Sequence, residues 1–404
     1  MLSRLGVRGG AWRRVALLPF AASFVNIAPA EAEPRAPRVF AAVVIFRHGA
    51  RAPVFRLTDA DSSPPVRYET VSSAPEHSPK VHIIDAHHAL DVGPPGSKGL
   101  LTSVGWEQGV ALGRRLKAHY GRPSPPRVRS TDVSRTVLTA QAVLTGIYEG
   151  TEPPPELIIE VDRTQNMMVP TTCGPLVDSL NEGRRAHRQS DETARRAAAL
   201  AAEAFGPLYD SRPCPMIAIH DDGIARRFSG HPPSRCVDVG LTDMASAEAA
   251  REVRSALAHG GDDSARLSAG RLCAYVAEHV RELLGERDPG CSHPPDVRLV
   301  LLSGHDTTLF SFLNALDREG EQVSRSHWPA YASSIVVELL DDGTARLLYQ
   351  WQPLAIPGEK VGTVPVESLL QWLDKVSISA EEFAEASGGN LDAGVEGAVF
   401  RWSD

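Results

Sequence analysis

A chain of 404 residues, 42% hydrophobic and 23% charged, has the make-up of an ordinary folded protein with enough apolar material for a sizeable core, which excludes collagen-like and wholly disordered classes. The net charge of -8 has the wrong sign for a surface-wide nucleic-acid or anionic-membrane footprint, so no nucleic-acid partner is expected and any anion site must be local. The five cysteines, Cys173, Cys214, Cys236, Cys273 and Cys291, form no CxxC pair; neither zinc spacing nor a thiol-redox motif is present.

Residues 1–32 read as a targeting segment. Arg4, Arg8, Arg13 and Arg14 come before any acidic residue, and an apolar stretch runs from Val15 to Ile27. An arginine-rich, acid-free leader suits mitochondrial import, whereas a run ending in Ala28-Pro29-Ala30-Glu31-Ala32 suits a secretory signal and its cleavage site. No asparagine sits in an Asn-x-Ser/Thr sequon and the cysteine count is odd, which favours the mitochondrion, with the secretory pathway as the alternative. Beyond the leader no apolar run approaches the roughly 20 residues needed to span a bilayer, so no stable membrane anchor is expected.

The first element is a strand at Val39–Phe46, a β-branched apolar run that reads as buried on both faces and ends in Arg47-His48-Gly49. Residues 53–100, rich in Pro, Ser, His and Asp, read as a long loop. A helix is predicted over 104–120, with Thr102 or Ser103 as N-cap, Leu112, Leu116 and Tyr120 at i+4 spacing, and Gly121 as its stop. A short strand at Pro126–Arg129 leads into a helix over Asp132–Tyr148 with an apolar stripe through Val133, Val137, Ala140, Leu144 and Ile147. Residues 162–292 read as mostly helical and form an inserted cap. The sheet pattern returns at Val297–Ser303, followed by Gly304-His305-Asp306, a helix through Leu316, and a hairpin over 333–351 around Asp341-Asp342-Gly343. The fold class is therefore α/β: a doubly wound, mostly parallel sheet flanked by helices (33–161 plus 293–404), with a smaller α-helical cap domain inserted at 162–292.

Three strand ends now carry polar clusters: Arg47-His48-Gly49-Ala50-Arg51, Arg129-Ser130-Thr131-Asp132-Val133-Ser134-Arg135, and His305-Asp306. A parallel sheet places such ends along one crevice, and arginine forks match phosphate oxygens. Each residue alone is an ordinary solvated loop position; the conjunction is what carries information. Asp132 and Arg135, at a helix start, read as braces of the second cluster, and His87, His88 and His231 as surface residues without ligand spacing.

The segments FRHGARAP, RSTDVSRT and SGHDTTL, in that order, with LTSVGWEQGVALGRRLKAHYG between the first two, resemble the signature segments of the histidine acid phosphatases, a branch of the histidine phosphatase superfamily. The resemblance covers about residues 39–148 and 297–351. It implies a phosphomonoesterase in which His48 is the nucleophile, Arg47, Arg51, Arg129 and His305 surround the phosphate, and Asp306 is the proton donor, with no cofactor and no metal. A carboxyl beside a phosphate dianion has its pKa raised, so Asp306 is expected to carry a proton and turnover to favour acid. Gly304-His305-Asp306 resembles the acid-phosphatase form of its motif, where phytases of the branch place Ala-Glu, so inositol polyphosphates rank second as substrates. The region 53–101, the leader and the ending VPVESLLQWLDKVSISAEEF are similar to the lysophosphatidic acid phosphatases of the family, which implies a small phosphomonoester, a lysophospholipid, as substrate. Two other readings are a phospho-ligand-binding protein without turnover and transfer of the phosphoryl group to an alcohol, as in mutases of the wider superfamily.

Overall fold

In the computed structural model the described residues are 36–388 except 56–65, 90–92, 122–123, 165, 171–172, 206–214, 235–238 and 286–296; residues 1–32, expected to be a targeting segment, lie outside them. Two neighbouring parallel strands, β1 (Val39–Arg47) and β5 (Arg298–Gly304), form the centre, with Arg47 paired to Gly304. Their apolar, β-branched sequence reflects burial on both faces. Ala42, Val44 and Phe46 meet Leu116, Val143 and Leu144 on one side. Val43 and Ile45 meet Val276, Val280, Leu309 and Phe312 on the other.

The remaining strands are β2 (His82–Ile84), β3 (Arg127–Thr131), β4 (Ile158–Asp162), β6 (Ser334–Leu340), β7 (Thr344–Tyr349), β8 (Gln352–Leu354) and β9 (Thr363–Pro365). The sheet runs β2-β4-β3-β5-β1-β6-β7-β8, with β9 pairing to β7. From β2 to β1 every ladder is parallel, and from β1 onward every ladder is antiparallel. The parallel half carries the polar strand ends on one edge. β2 falls within the stretch expected to be loop.

Helices α1 (Ser103–Tyr120) and α2 (Ser134–Tyr148) cover one face. They approach closely because glycines line the contact: a Cβ on Gly113 would lie 2.1 Å from the Val143 carbonyl oxygen. The same close packing fixes the first polar cluster, since a Cβ on Gly49 would lie 2.1 Å from the Gly105 carbonyl oxygen in the first turn of α1. Thr102 caps α1 by accepting from the Gly105 amide. The second helix begins two residues later than expected, because Val133 is extended and the Asp132 carboxylate accepts from the amides of His87, His88 and Ala89. Asp132 thus pins that loop to the sheet edge and does not brace Arg129.

Between β4 and β5 lie α3 (Gly174–Ser190), α4 (Glu192–Phe205), α5 (Pro215–Phe228), α6 (Val239–His259) and α7 (Gly261–Gly285). From Pro37 onward the described residues form one compact unit. The helical stretch divides in two ways of packing. Ala197, Ala201, Met216, Ile219, Ala245 and Ala249 of α4, α5 and α6 pack on one another, whereas Leu272, Val276 and Val280 of α7 pack on β1 together with α8 (Asp306–Leu316). So α7 serves as a helix of the sheet layer. Two further helices, α9 (Val366–Val376) and α10 (Ala380–Ala386), follow the antiparallel strands. No helix among the described residues is long and apolar enough to cross a membrane.

Candidate active site

The carboxyl ends of β1, β5 and β3 deliver their side chains to one cavity at the sheet edge. It is lined by His48, Arg51, Arg135, His220, Asp221, His305 and Asp306, and by an apolar wall of Phe55, Ile217, Val253, Phe310 and Trp328. His48 is buried, and its Nδ1 lies 2.8 Å from the Gly49 carbonyl oxygen. A carbonyl only accepts, so Nδ1 carries the proton and Nε2 keeps its lone pair. Burial, then the positive charge of Arg135 and Arg47, hold the His48 pKa well below its ordinary value. The imidazole is thus neutral, with its lone pair on Nε2.

Arg47 is fixed from three directions: Nη1 donates to the Pro329 carbonyl at 2.6 Å, Nη2 pairs with Asp306 at 2.8 Å, and the guanidinium lies 4.2 Å from the Tyr331 ring centre. The loop supplying Pro329 and Tyr331 returns to His48, with the Ala332 amide donating to the His48 carbonyl. Ala332 has a left-handed φ of 54°, a conformation costly for a residue with a Cβ and held here by that contact. Arg51 pairs at 2.8 Å with Asp221 of α5, whose other oxygen accepts from the Val54 and Phe55 amides. Against burial, Asp221 keeps the Arg51 guanidinium above its ordinary pKa.

Arg135 has no carboxylate partner among the described residues. Its Nη2 lies 3.3 Å from His305 Nδ1, and its Nε has no hydrogen-bond partner. Burial and the nearby Arg51 push its pKa down to about 9, and an anion seated beside it would raise it again. His305 Nε2 lies 2.9 Å from Thr131 Oγ1, which in turn meets Thr136 Oγ1 at 2.9 Å; the Thr136 hydroxyl is committed to the Val133 and Thr131 carbonyls. The chain of donors therefore puts the His305 proton on Nε2 and leaves Nδ1 to accept from Arg135. Burial and Arg135 lower the His305 pKa as well.

Asp306 opens α8. Its Oδ1 accepts from the Thr307 amide at 2.9 Å and its Oδ2 from Trp328 Nε1 at 3.3 Å, in addition to the Arg47 pair. Burial pushes this carboxyl up, yet Arg47 and Arg51 outweigh it and hold the pKa at about 2. With the protein's own charges alone, then, Asp306 is ionised; the protonated state is expected of the site with phosphate bound. A phosphate dianion seated on the arginines would cancel the positive field and reverse the shift.

The structure thus gathers Arg47, His48, Arg51, His305 and Asp306 at one point, and leaves Arg129 out. Arg129 donates to Asp162 at 2.9 Å and to Thr164, lies 3.4 Å from Glu160, and covers the Tyr275 ring. It is committed to carboxylates of β4 and does not line the cavity; Arg135, expected as a brace, lines it instead. Asp221 and His220 come from α5 and belong to none of the three clusters. The exposed His87 and His88, and His231 against Tyr68, lie outside the cavity.

Similarity to known proteins follows the same lines. The chain is 22% identical over 382 residues, 84% of each sequence, to lysophosphatidic acid phosphatase type 6 of Bos taurus. Its fold matches that of Hafnia alvei phytase in complex with tartrate, with a TM-score of 0.53 at 14% identity over 86% of this chain and 99% of that one. It also matches the Bifidobacterium longum multiple inositol polyphosphate phosphatase in complex with inositol hexasulfate, with a TM-score of 0.52 at 10% identity over 81% and 89%. At such identities the two structural likenesses speak for the fold alone. The model of the histidine phosphatase superfamily (branch 2) matches residues 39–232 and 243–350, both stretches that build the cavity; the chain belongs to this family and is a phosphomonoester hydrolase.

Proposed function

We propose that this cavity hydrolyses its ester in two displacements. His48 Nε2 attacks phosphorus as the P–O bond to the alcohol breaks, and Asp306 gives its proton to the departing oxygen. Asp306, now a carboxylate, then takes a proton from water as that water's oxygen displaces Nε2. Arg47, Arg51 and Arg135 are the fixed donors for the phosphoryl oxygens, each worth about 4 kcal/mol at 4 Å and an effective dielectric constant near 20. A dianion also favours protonated His305, which then donates from Nδ1 while Arg135 turns to phosphate. The observation that carries this reading is the neutral His48, its Nδ1 tied to Gly49, beside the half-buried Arg135 guanidinium, which has no carboxylate partner among the described residues.

Exchanging the roles of the two arginines of the second cluster gives a direct test. Arg135→Ala is expected to lower kcat/KM for phosphate release by roughly 10² to 10³, the loss of one transition-state donor. Arg129→Ala, which breaks the pair to Asp162, is expected to act mainly on stability and to leave competitive inhibition by inorganic phosphate within a factor of about three. Equal kinetic losses in both variants would refute the assignment.

For the substrate, the proposal is a monoester with one phosphate and an apolar extension, of the lysophosphatidic acid kind, the molecule named in the bovine relative. Support comes from the wall of Phe55, Ile217, Val253, Phe310 and Trp328 opposite the polar cluster. A single phosphate takes up Arg47, Arg51 and Arg135, and among the described residues the wall holds no further cation for the additional phosphates of an inositol polyphosphate. In a panel of lysophosphatidic acid, an aryl phosphate and inositol hexakisphosphate, the lysophospholipid is expected to have the highest kcat/KM, with EDTA present throughout. Preference for the inositol ester would replace this reading with the phytase-like one.

A further inference from the structure

His220, on α5, is the one imidazole of the cavity wall that takes no part in the proposed phosphoryl transfer. It is buried and lines the cavity. Its Nδ1 lies 2.7 Å from Ser246 Oγ of α6, and that hydroxyl donates to the Thr242 carbonyl at 2.7 Å. With the serine proton spent, Ser246 can only accept, so His220 Nδ1 is the donor and Nε2 carries a lone pair. Among the described residues Nε2 has no hydrogen-bond partner, and it is the ring's remaining polar atom for the cavity. The helix contact behind it is close: a Cβ on Gly223 would lie 2.5 Å from the Thr242 side chain.

The ring also has a defined place relative to the chemistry. It stacks at 4.2 Å on Trp328, and Trp328 Nε1 donates to the Asp306 carboxylate. Since Asp306 meets the departing oxygen, His220 lies on the leaving-group side, one indole away. Burial and the charge of Arg47 hold its pKa at about 3, so the ring stays neutral and Nε2 can only accept at working pH. An acceptor set in a wall of Phe55, Ile217, Phe310 and Trp328 favours a substrate that brings a donor to it.

We infer that His220 is a specificity-determining residue whose Nε2 accepts a hydrogen bond from a hydroxyl on the leaving alcohol, close to the ester oxygen, so that the enzyme selects glycerol-type phosphates over plain alkyl phosphates. This rests on the proposed direction of attack at the same site, with the leaving alcohol on the Asp306 side. Sites built to bond a substrate hydroxyl discriminate strongly against analogues that lack it.

The test uses two pairs of substrates: lysophosphatidic acid against its 2-deoxy counterpart, an acyl propanediol phosphate, and glycerol 3-phosphate against propyl phosphate. Within each pair the wild-type ratio of kcat/KM is expected to favour the hydroxylated ester by about tenfold or more. In His220→Asn, whose amide reaches Ser246 but presents nothing to the cavity, the ratio falls toward one. In His220→Gln, whose amide oxygen falls near Nε2, it is largely restored. A purely structural role would lower both members of a pair and keep their ratio, and that result overturns the inference, as does a wild-type ratio near one. The lipid reading fails separately, if the acylated pair is turned over no better than the short pair while the hydroxyl preference persists.

Discussion

His48→Ala is expected to reduce phosphate release by about 10⁴-fold or more, because the covalent route is lost altogether and only charge stabilisation remains. The imidazole is buried, with its Nδ1 on Gly49 and its backbone amide on the Gly304 carbonyl. The backbone contacts survive truncation, so the variant should keep its fold and still bind inorganic phosphate through Arg47, Arg51 and Arg135. Phosphorylation of the wild-type chain by labelled substrate, captured by rapid denaturing quench, should place the label on His48, and none should appear in the variant. A variant that retained the label would move the nucleophile elsewhere, with His305, 5.5 Å away between ring centres, as the nearest alternative.

How much of this was legible beforehand depends on what each residue's position is set by. His48, His305 and Asp306 follow directly from strands whose ends are written in the sequence: an apolar β-branched run stops, and the next side chains stand at the sheet edge. Arg129 and Arg135 could not be separated that way. Which of them meets the cavity is decided by where α2 begins, and that start is displaced because the Asp132 carboxylate is used by the amides of residues 87–89. Arg129, on the strand itself, is drawn to Asp162 of β4, a strand of five residues next to the insertion that was not read as one. Its partner was invisible, so its commitment was too.

Asp221 and His220 escaped for a different reason. They sit in an inserted helix with no motif, and only a helical-wheel inconsistency marks them. His220, Asp221 and Asp222 are consecutive and all buried, although an exposed helix would turn at least one of them to solvent. Asp222 is satisfied within the helix by Arg226 at 2.6 Å; Asp221 and His220 face the cavity. Polar residues at positions where a helix should be apolar are thus the signal that a cap contributes to a site.

Asp306→Asn should produce a loss that depends on the leaving group: roughly 10² to 10⁴ in kcat for an alkyl phosphate, whose alkoxide needs a proton, and far less for a nitrophenyl phosphate, whose phenolate does not. The pH profile locates the proton. Because Arg47 and Arg51 hold free Asp306 at about 2, the carboxyl does not bring the proton into the complex at pH 4 to 6. The substrate monoanion does, with a second phosphate pKa of about 6. Once bound, the phosphate neutralises the arginines, the Asp306 pKa rises, and the proton passes to the carboxyl facing the ester oxygen.

It follows that kcat/KM for an alkyl ester should decline about tenfold per pH unit above about 6, as substrate and enzyme together run out of that proton. On the acid side an ordinary histidine nucleophile would be protonated and lost below about 6.5. His48 is not, since burial, Arg135 and Arg47 lower its pKa, and this keeps Nε2 available where the substrate is protonated. Acid-favoured turnover thus arises from a neutral nucleophile and a proton carried by the substrate. A kcat/KM profile that stayed flat from pH 5 to 8 for an alkyl ester would contradict it, and in Asp306→Asn the decline above pH 6 should largely disappear along with the rate.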